Sequence, residues 1–220
     1  MVPGGELVMG NEFHVFWGDT HHNTYMGYRQ DPPLAEVMAY ASSNMDFYTG
    51  AYYTPIFSNA PLLPDYKMET SDSAGGHPSE QRLGDIKWHG IGLEGLKEKG
   101  KMEKEWAEFQ DVTKQWNRPG EFVAFPGYEW QGNGRWGDHN VVYLKEGHPI
   151  HTPEHLSELY DILKDLDAIA IPHHTGYCPP HRAPTWSACN DRISLFAELF
   201  SVHGCSETDE EHPGLRNNTH

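Results

Sequence analysis

Short apolar runs alternate along this chain with amphipathic segments, a pattern typical of an α/β fold. Runs rich in Val, Phe, Ala and Ile predict strands, and segments with apolar residues every three or four positions predict helices. The predicted strands are 15–17, 45–51, 121–126, 141–144, 168–171 and 195–202, and the predicted helices are 34–42, 101–116 and 153–164. Repeated strand–helix units imply a parallel sheet, either open or closed into a barrel.

The predicted helices carry their own boundary and packing signals. Asp31 is expected to cap the first helix, and Thr152–Pro153 is expected to begin the third. The helix over 101–116 has one apolar stripe, which we interpret as a face packed on the core: Met102, Trp106, Phe109 and Val112.

The 220 residues are predicted to form a single domain. A region from about 52 to 100, rich in Pro, Gly, Ser and Asp, interrupts the pattern and is predicted to be an irregular insertion, either a lid or a substrate wall. A polar tail is expected from about 206 to 220.

Composition and charge exclude some functional classes. Hydrophobic residues make up 37% of the chain and aromatics 12%, and the aromatic content argues against disorder. The net charge of −16, with His neutral, repels phosphate backbones, so nucleic-acid binding by general basic attraction is not expected. No GxGxxG or phosphate-loop motif is present, so nucleotide binding of those kinds is not supported.

The three cysteines do not form a metal or disulfide motif. Cys178, Cys189 and Cys205 lack CxxC spacing and are interpreted as free thiols, or as one bridge and one free thiol. No apolar run reaches membrane-spanning length and no signal peptide is recognisable. The chain is therefore expected to be soluble, either cytoplasmic or, if a leader has been removed, periplasmic.

Histidine and glutamate side chains follow several of the predicted strands. His21 and His22 come after the run 15–17 and Gly18–Asp19, and comparable positions later in the chain are Glu129, His173, His174 and His203. Because α/β folds collect chemistry at strand ends, these groups are expected to meet. Imidazole nitrogens with a carboxylate suit Zn, Mn or Fe, and a carboxylate at Glu129 can bridge two ions.

Five segments of the chain carry a resemblance to a known family: Trp17–Thr24, Pro126–Trp130, Gly137–Tyr143, Ile171–Gly176 and Glu198–Glu207. In these segments the chain resembles the PHP (polymerase and histidinol phosphatase) superfamily of metal-dependent phosphoesterases. More narrowly, it is similar to a bacterial branch known as a domain of unknown function. The resemblance implies a distorted (β/α)7 barrel of the TIM type, lacking its last strand in this chain, with metals at the carboxyl ends of its strands.

The resemblance also implies residue roles. His21 would bind the first metal, with Asn23 at the partner position of the family's His-x-His motif. Glu129 would be the bridging carboxylate, and His139 and His173 would complete the second site. His174 and His203 would lie close by, and either would protonate the leaving group. Asp19 is expected to orient a ligand imidazole.

Two departures from the family weaken the implied site. Tyr52 and Tyr53 stand where the family's second motif ends in Asp-His, so a third metal has little support. The family's final Asp-x-His has no counterpart after His203, so the chain is either a fragment or has an incomplete site. Self-association through the unpaired sheet edges is expected on the same ground.

These observations predict a metal-dependent hydrolase of the PHP type that cleaves a phosphoester, or a related ester or amide, with metal-activated water. Two divalent ions and a small-molecule substrate are expected. The alternative is a catalytically impaired metal-binding or interaction module, which Asn23, the Tyr52–Tyr53 pair and the missing motif favour. A purely structural acidic domain leaves the strand-end histidines unexplained.

Overall fold

The structure is a computed structural model that describes residues 14–25, 31–54, 99–132, 136–176, 182–201 and 204–207. Most of the predicted insertion, the polar tail and His203 lie outside the described residues. The prediction of a single domain stays a prediction. No helix of the described part has the length and apolarity needed to cross a bilayer.

A five-stranded mixed sheet in the order β1-β2-β3-β4-β5 organises the described residues. The strands are β1 Gly18–Thr24, β2 Phe47–Tyr53, β3 Val123–Trp130, β4 His139–Tyr143 and β5 Ala168–Pro172. The α-helices are α1 Leu34–Asn44, α2 Lys99–Trp116 and α3 Leu156–Leu163, and a short 3-10 helix spans Trp186–Ala188. Strands β6 Phe200–Ser201 and β7 Gly204–Cys205 form a separate two-stranded sheet.

The expectation of a (β/α)7 barrel is wrong. β1, β2 and β3 pair in parallel as predicted, but β4 runs antiparallel to both β3 and β5, and over the described residues the sheet does not close. The physical reason is the short connection at 131–138 between β3 and β4. A parallel return needs a crossover of a dozen or more residues, so a short loop instead folds the chain back as an antiparallel pair.

The strand expected over 195–202 is also wrong within the described residues. Only Phe200–Ser201 is extended there, and it pairs with Gly204–Cys205 rather than with the main sheet. The segment before Phe200 still lies beside the end of β5, because the Glu198 backbone N–H donates to the Pro172 carbonyl. This contact brings Glu198 to the end of β5.

The first strand begins later than the apolar run indicates. Val15, Phe16 and Trp17 precede β1 and are 73%, 68% and 73% exposed, whereas His21 and Asn23 lie inside the strand. The ladder with β2 shifts register between Asp19 and His22, as in a β-bulge. The bulge changes which residues face each side of β1. The histidines lie within this strand rather than after it, because the strand spans Gly18–Thr24.

Helix α2 carries the aromatic part of the core, as its apolar stripe predicts. Trp106 stacks on Phe109 with ring centroids 5.1 Å apart, and Tyr52 and Tyr128 meet Trp106 edge-on at 6.0 Å. Met102 and Val112 pack against this cluster. Leu156, Leu159 and Leu163 bury the inner face of α3. The helix caps differ from the prediction. The residue at the N-cap is Pro33 rather than Asp31 in α1 and His155 rather than Thr152 in α3, and neither makes a side-chain capping hydrogen bond.

Gly127 allows the three central strands to approach closely. A Cβ at this position would lie 2.5 Å from the Thr49 Cγ2 on β2 and 2.9 Å from the Val141 carbonyl on β4. Any side chain would therefore push β3 away from both neighbours. The absence of a side chain at Gly127 keeps β3 in register and fixes the position of Glu129, two residues on.

Candidate metal centre

The candidate ligand side chains lie at one edge of the sheet, where β3 and β5 end and β4 begins. Because β4 is antiparallel to its neighbours, its first residue lies beside the last residues of β3 and β5: His139 pairs with Trp130 and with Pro172. Glu129 at the end of β3 and His173 just after β5 therefore share this edge with Asp138, which precedes β4. The Asn140 amide reaches the Thr20 carbonyl at 3.2 Å and ties β1 to the same place.

Glu129, Asp138, His173 and His174 form a buried cluster that can hold a metal ion. Each offers one ligand atom, and these atoms all lie within 4.8 Å of one another. His173 Nε2 lies 3.3 Å from Glu129 Oε1, and His174 Nε2 lies 3.3 Å from Asp138 Oδ2. All four side chains are almost fully buried. Of the residues predicted from sequence, this cluster contains Glu129, His173 and His174.

Several polar atoms of the cluster have no hydrogen bond to any described residue. They are Glu129 Oε2, Asp138 Oδ1 and His173 Nδ1, all buried. Buried polar atoms are nearly always bonded, so each exception needs a reason, and a role as a metal ligand is one. Carboxylate oxygens mixed with imidazole nitrogens suit Zn, Mn or Fe, whereas Ca takes oxygen ligands alone. The donor set therefore fits a divalent transition metal.

Arg182 is a permanently charged cation that contacts both carboxylates of this site. Its Nε donates to Asp138 Oδ2 at 2.6 Å, and its Nη2 contacts the same oxygen. Nη2 also lies 3.3 Å from both Glu129 Oε1 and Gln131 Oε1. The guanidinium thus holds one oxygen of each carboxylate and leaves the other oxygen without a hydrogen bond.

Backbone strain also concentrates here. Three described residues other than glycine have positive φ, and two of them are His174 at 58° and Arg182 at 50°. Such conformations cost about 1–3 kcal/mol each and persist where the surrounding structure fixes them, commonly at functional sites. Both residues contact Asp138, so this strain accompanies the contacts around that carboxylate.

His21 faces the cluster from β1, as predicted. Its Nδ1 lies 2.5 Å from Glu198 Oε2, its Nε2 lies 3.9 Å from Glu129 Oε2, and its ring centroid is 4.2 Å from that of His173. Asp19 was expected to orient the imidazole, but it accepts the backbone N–H of His21 at 2.7 Å. Glu198 is the carboxylate that orients the ring.

The carboxylates set the protonation of His21 and of each other. Burial lowers the pKa of His21, but its contacts with Glu129 and Glu198 and the charges of both carboxylates outweigh that effect and raise the pKa to about 10. Burial raises the pKa of Glu129, but His173 and His21 outweigh it and hold that pKa well below its ordinary value. Burial, reinforced by the Glu129 charge, raises the pKa of Asp138 in spite of Arg182. Glu129 is therefore the firmly ionised carboxylate of the pair.

His139 is buried beside the cluster but does not join it. Its Nδ1 donates to the Gly137 carbonyl at 3.0 Å, and its Nε2 accepts from the Tyr160 hydroxyl at 3.3 Å. Its ring meets Trp130 and Tyr160 edge-on. Burial lowers its pKa to about 4. In this arrangement both ring nitrogens are engaged by the protein.

The remaining predicted residues are placed only in part. Asn23 is half-buried in β1, where its backbone is in register with Ala51 of β2. His203 lies outside the described residues, so its predicted role stays a prediction. Cys189 is a half-buried free thiol outside the cluster.

Three residues of the site were not assigned roles from sequence: Asp138, Arg182 and Glu198. Asp138 had a usable signal, since it follows a glycine-rich loop and directly precedes His139. Glu198 lies in an apolar run, where a lone carboxylate needs a partner. Arg182 gave no signal, because Asp138 and Glu129 lie 44 and 53 residues away in sequence.

The comparison with protein families finds one match, over residues 73–176, to a family described as "Protein of unknown function (DUF3604)". The matched stretch includes Glu129, Asp138, His173 and His174, and it excludes His21, Arg182 and Glu198. No curated protein matches the chain. The family's description names no activity, so any function for the chain must be argued from the site.

Proposed function

We propose that this chain is a metal-dependent hydrolase of the PHP type that cleaves a phosphoester, or a related ester or amide, of a small molecule. The observation that carries the proposal is the buried cluster of Glu129, Asp138, His173 and His174 with unbonded carboxylate oxygens. Kinship with the PHP superfamily is part of the proposal and rests on the order of the motifs along the chain.

The unbonded atoms indicate which residues would hold the ion. An unsatisfied buried charge is costly, and a divalent cation offsets that cost at Glu129 Oε2 and Asp138 Oδ1. His21 would help to hold it, since its Nε2 lies 3.9 Å from Glu129 Oε2 on the same side of the carboxylate. When bound, the cation would supply activated water and stabilise the charge developing on the ester.

The histidines supply the proton chemistry of the proposal. His174 Nε2 lies against Asp138 Oδ2 at 3.3 Å, and the proposal keeps His174 as a donor of the proton that the leaving group needs. Glu198 holds the His21 ring by its Nδ1, so that Nε2 points to Glu129. Such a carboxylate–histidine contact fixes the tautomer and raises the basicity of a ligand.

A catalytically impaired metal-binding module remains the second candidate, and Arg182 favours it. Because the guanidinium already neutralises part of the charge of Glu129 and Asp138, the cluster is less attractive to a cation than its carboxylates alone would be. Turnover separates the two candidates, since both bind metal and only the hydrolase cleaves a substrate.

The test is metal content followed by hydrolysis. The chain is stripped with chelator, reconstituted separately with Zn²⁺, Mn²⁺ or Fe²⁺, desalted and measured by mass spectrometry. Hydrolysis of p-nitrophenyl phosphate and bis(p-nitrophenyl) phosphate is then followed for wild type, Glu129→Gln and the exposed control Glu36→Gln. We expect Glu129→Gln to lose metal and turnover together while its circular dichroism is unchanged, and Glu36→Gln to match wild type.

The outcomes divide cleanly. Unchanged metal content in Glu129→Gln would show that this carboxylate is structural and would end the proposal. Bound metal in wild type without turnover of any ester or amide probe would favour the binding module. Self-association stays a separate prediction, tested by analytical ultracentrifugation of the same samples.

A further inference from the structure

Each of the two buried carboxylates of the cluster has one oxygen in contact with neighbouring side chains and one oxygen without a hydrogen bond. Glu129 gives Oε1 to His173 and Arg182, and Asp138 gives Oδ2 to His174 and Arg182. Their other oxygens, Oε2 and Oδ1, have no hydrogen bond among the described residues. One side of the carboxylate pair therefore faces a guanidinium, and the other side is left for a different cation.

The charges at the site limit how many ions it can hold. Glu129 and Asp138 as carboxylates next to one guanidinium carry a single net negative charge, and the ion pair of His21 with Glu198 adds none. One divalent ion leaves a single positive charge, and a second ion would add two more in a region almost closed to water. Uncompensated charge at such depth is strongly disfavoured.

We propose that Arg182 occupies the place of a second cation, so that the centre binds one divalent ion and Glu129 bridges that ion and the guanidinium. This inference rests on the proposed function and sharpens it, because two ions were expected from the sequence. A bridging carboxylate normally joins two metals that clamp the attacking and leaving oxygens. Here the planar, permanently charged guanidinium holds one of its two oxygens instead.

Arg182 is poorly placed to serve as a grip for a substrate anion. Its side chain is 11% exposed, its Nε is bonded to Asp138, and its Nη2 contacts Asp138, Glu129 and Gln131. An anion would have to compete with two carboxylates for the same donors. The geometry therefore favours a fixed structural cation over a substrate contact.

Metal stoichiometry tests the inference. Wild type, Arg182→Lys, Arg182→Gln and the exposed control Arg192→Gln are titrated with Zn²⁺ or Mn²⁺ by calorimetry, and bound metal is measured after desalting. We expect one ion per chain for wild type, Arg182→Lys and Arg192→Gln. Arg182→Gln is expected to take up a second ion, because the full charge of both carboxylates becomes available.

Two outcomes overturn the inference alone: two ions in wild type, or a single ion in Arg182→Gln. No bound ion in wild type would overturn the proposed function and this inference with it. Because Arg182→Gln can fail to fold, electron paramagnetic resonance of wild type, saturated with Mn²⁺ and then desalted to remove the free ion, gives a readout free of variants. The six-line spectrum of an isolated ion supports the inference, and a spin-coupled pair contradicts it.

Discussion

The aromatic core and the charged cluster treat their buried polar atoms in opposite ways. In the core, the Tyr52 hydroxyl donates to Glu105, the Trp106 indole to the His148 carbonyl and the Trp130 indole to the Pro153 carbonyl, each at 2.8 Å. In the cluster, Glu129 Oε2 and Asp138 Oδ1 are buried without any such contact.

This contrast separates residues that contribute to the stability of the fold from residues that can bind a metal ion. The core buries large rings and satisfies the polar groups of Tyr52, Trp106 and Trp130, so it contributes free energy to folding. The cluster carries groups whose desolvation costs about 1–3 kcal/mol each when unsatisfied, a cost that a bound ion would remove. Substitutions in the two regions are therefore expected to move different measurements.

Truncating the core should give the largest change in stability. Phe109 is fully buried, stacks on Trp106 and contacts Tyr52 edge-on. Phe109→Ala should lower the free energy of unfolding by about 3–5 kcal/mol, by lost burial and a cavity. Urea denaturation checks this, with the exposed Tyr40→Ala as control. A loss below 1 kcal/mol would mean that α2 does not carry the core.

Lowering the pH should reduce the stability of the fold through His139, which is buried beside the cluster. The pKa of His139 is about 4 in the fold, lowered chiefly by burial, and about 6.5 in the unfolded chain. Between these values the unfolded chain binds more protons, so stability is complete above pH 6.5 and falls as the pH drops towards 4, by about 3 kcal/mol in total.

Replacing His139 measures how much this residue contributes to the pH dependence of the free energy of unfolding. His139→Gln should flatten the dependence of unfolding free energy on pH between 6.5 and 4, measured by urea denaturation at a series of pH values. The exposed His155→Gln should keep the wild-type slope. An unchanged slope in His139→Gln would show that His139 titrates normally and is not buried as neutral imidazole.

Removing the partner of His21 should weaken binding and leave the core intact. Glu198→Gln keeps the size of the side chain and removes the charge at 2.5 Å from His21 Nδ1. We expect metal affinity or turnover to fall about 10–100-fold, as for other carboxylates that orient a ligand histidine. Calorimetric titration checks this against Glu36→Gln, and equal affinities would dismiss the orienting role.

The smallest effect is expected at the surface. Lys145 and Asp167 form an exposed ion pair at 2.7 Å, which solvent screens. Lys145→Met should change neither the urea midpoint nor metal binding measurably. A clear shift in either would mean that surface charge matters more to this fold than the contrast between core and cluster allows.

Local patterns predicted the parallel half of the fold, and non-local contacts decided the rest. The stripe on α2 identified Trp106 and Phe109, and strand-end composition identified Glu129 and His173. The antiparallel β4 was missed, because its apolar run looks the same in either direction and only the short loop at 131–138 sets the direction. Arg182 and Glu198 could not be assigned, since their roles depend on partners far away in sequence.

The central claim is that the unbonded face of the carboxylate pair holds one divalent ion. Crystals grown with Zn²⁺ or Mn²⁺ and measured at the metal absorption edge test it most directly. The expected result is a single anomalous peak about 2.0–2.3 Å from Glu129 Oε2 and from at least one atom of Asp138, His173 or His21, with Arg182 still on Glu129 Oε1. A map with no peak among these side chains at saturating metal would contradict the account.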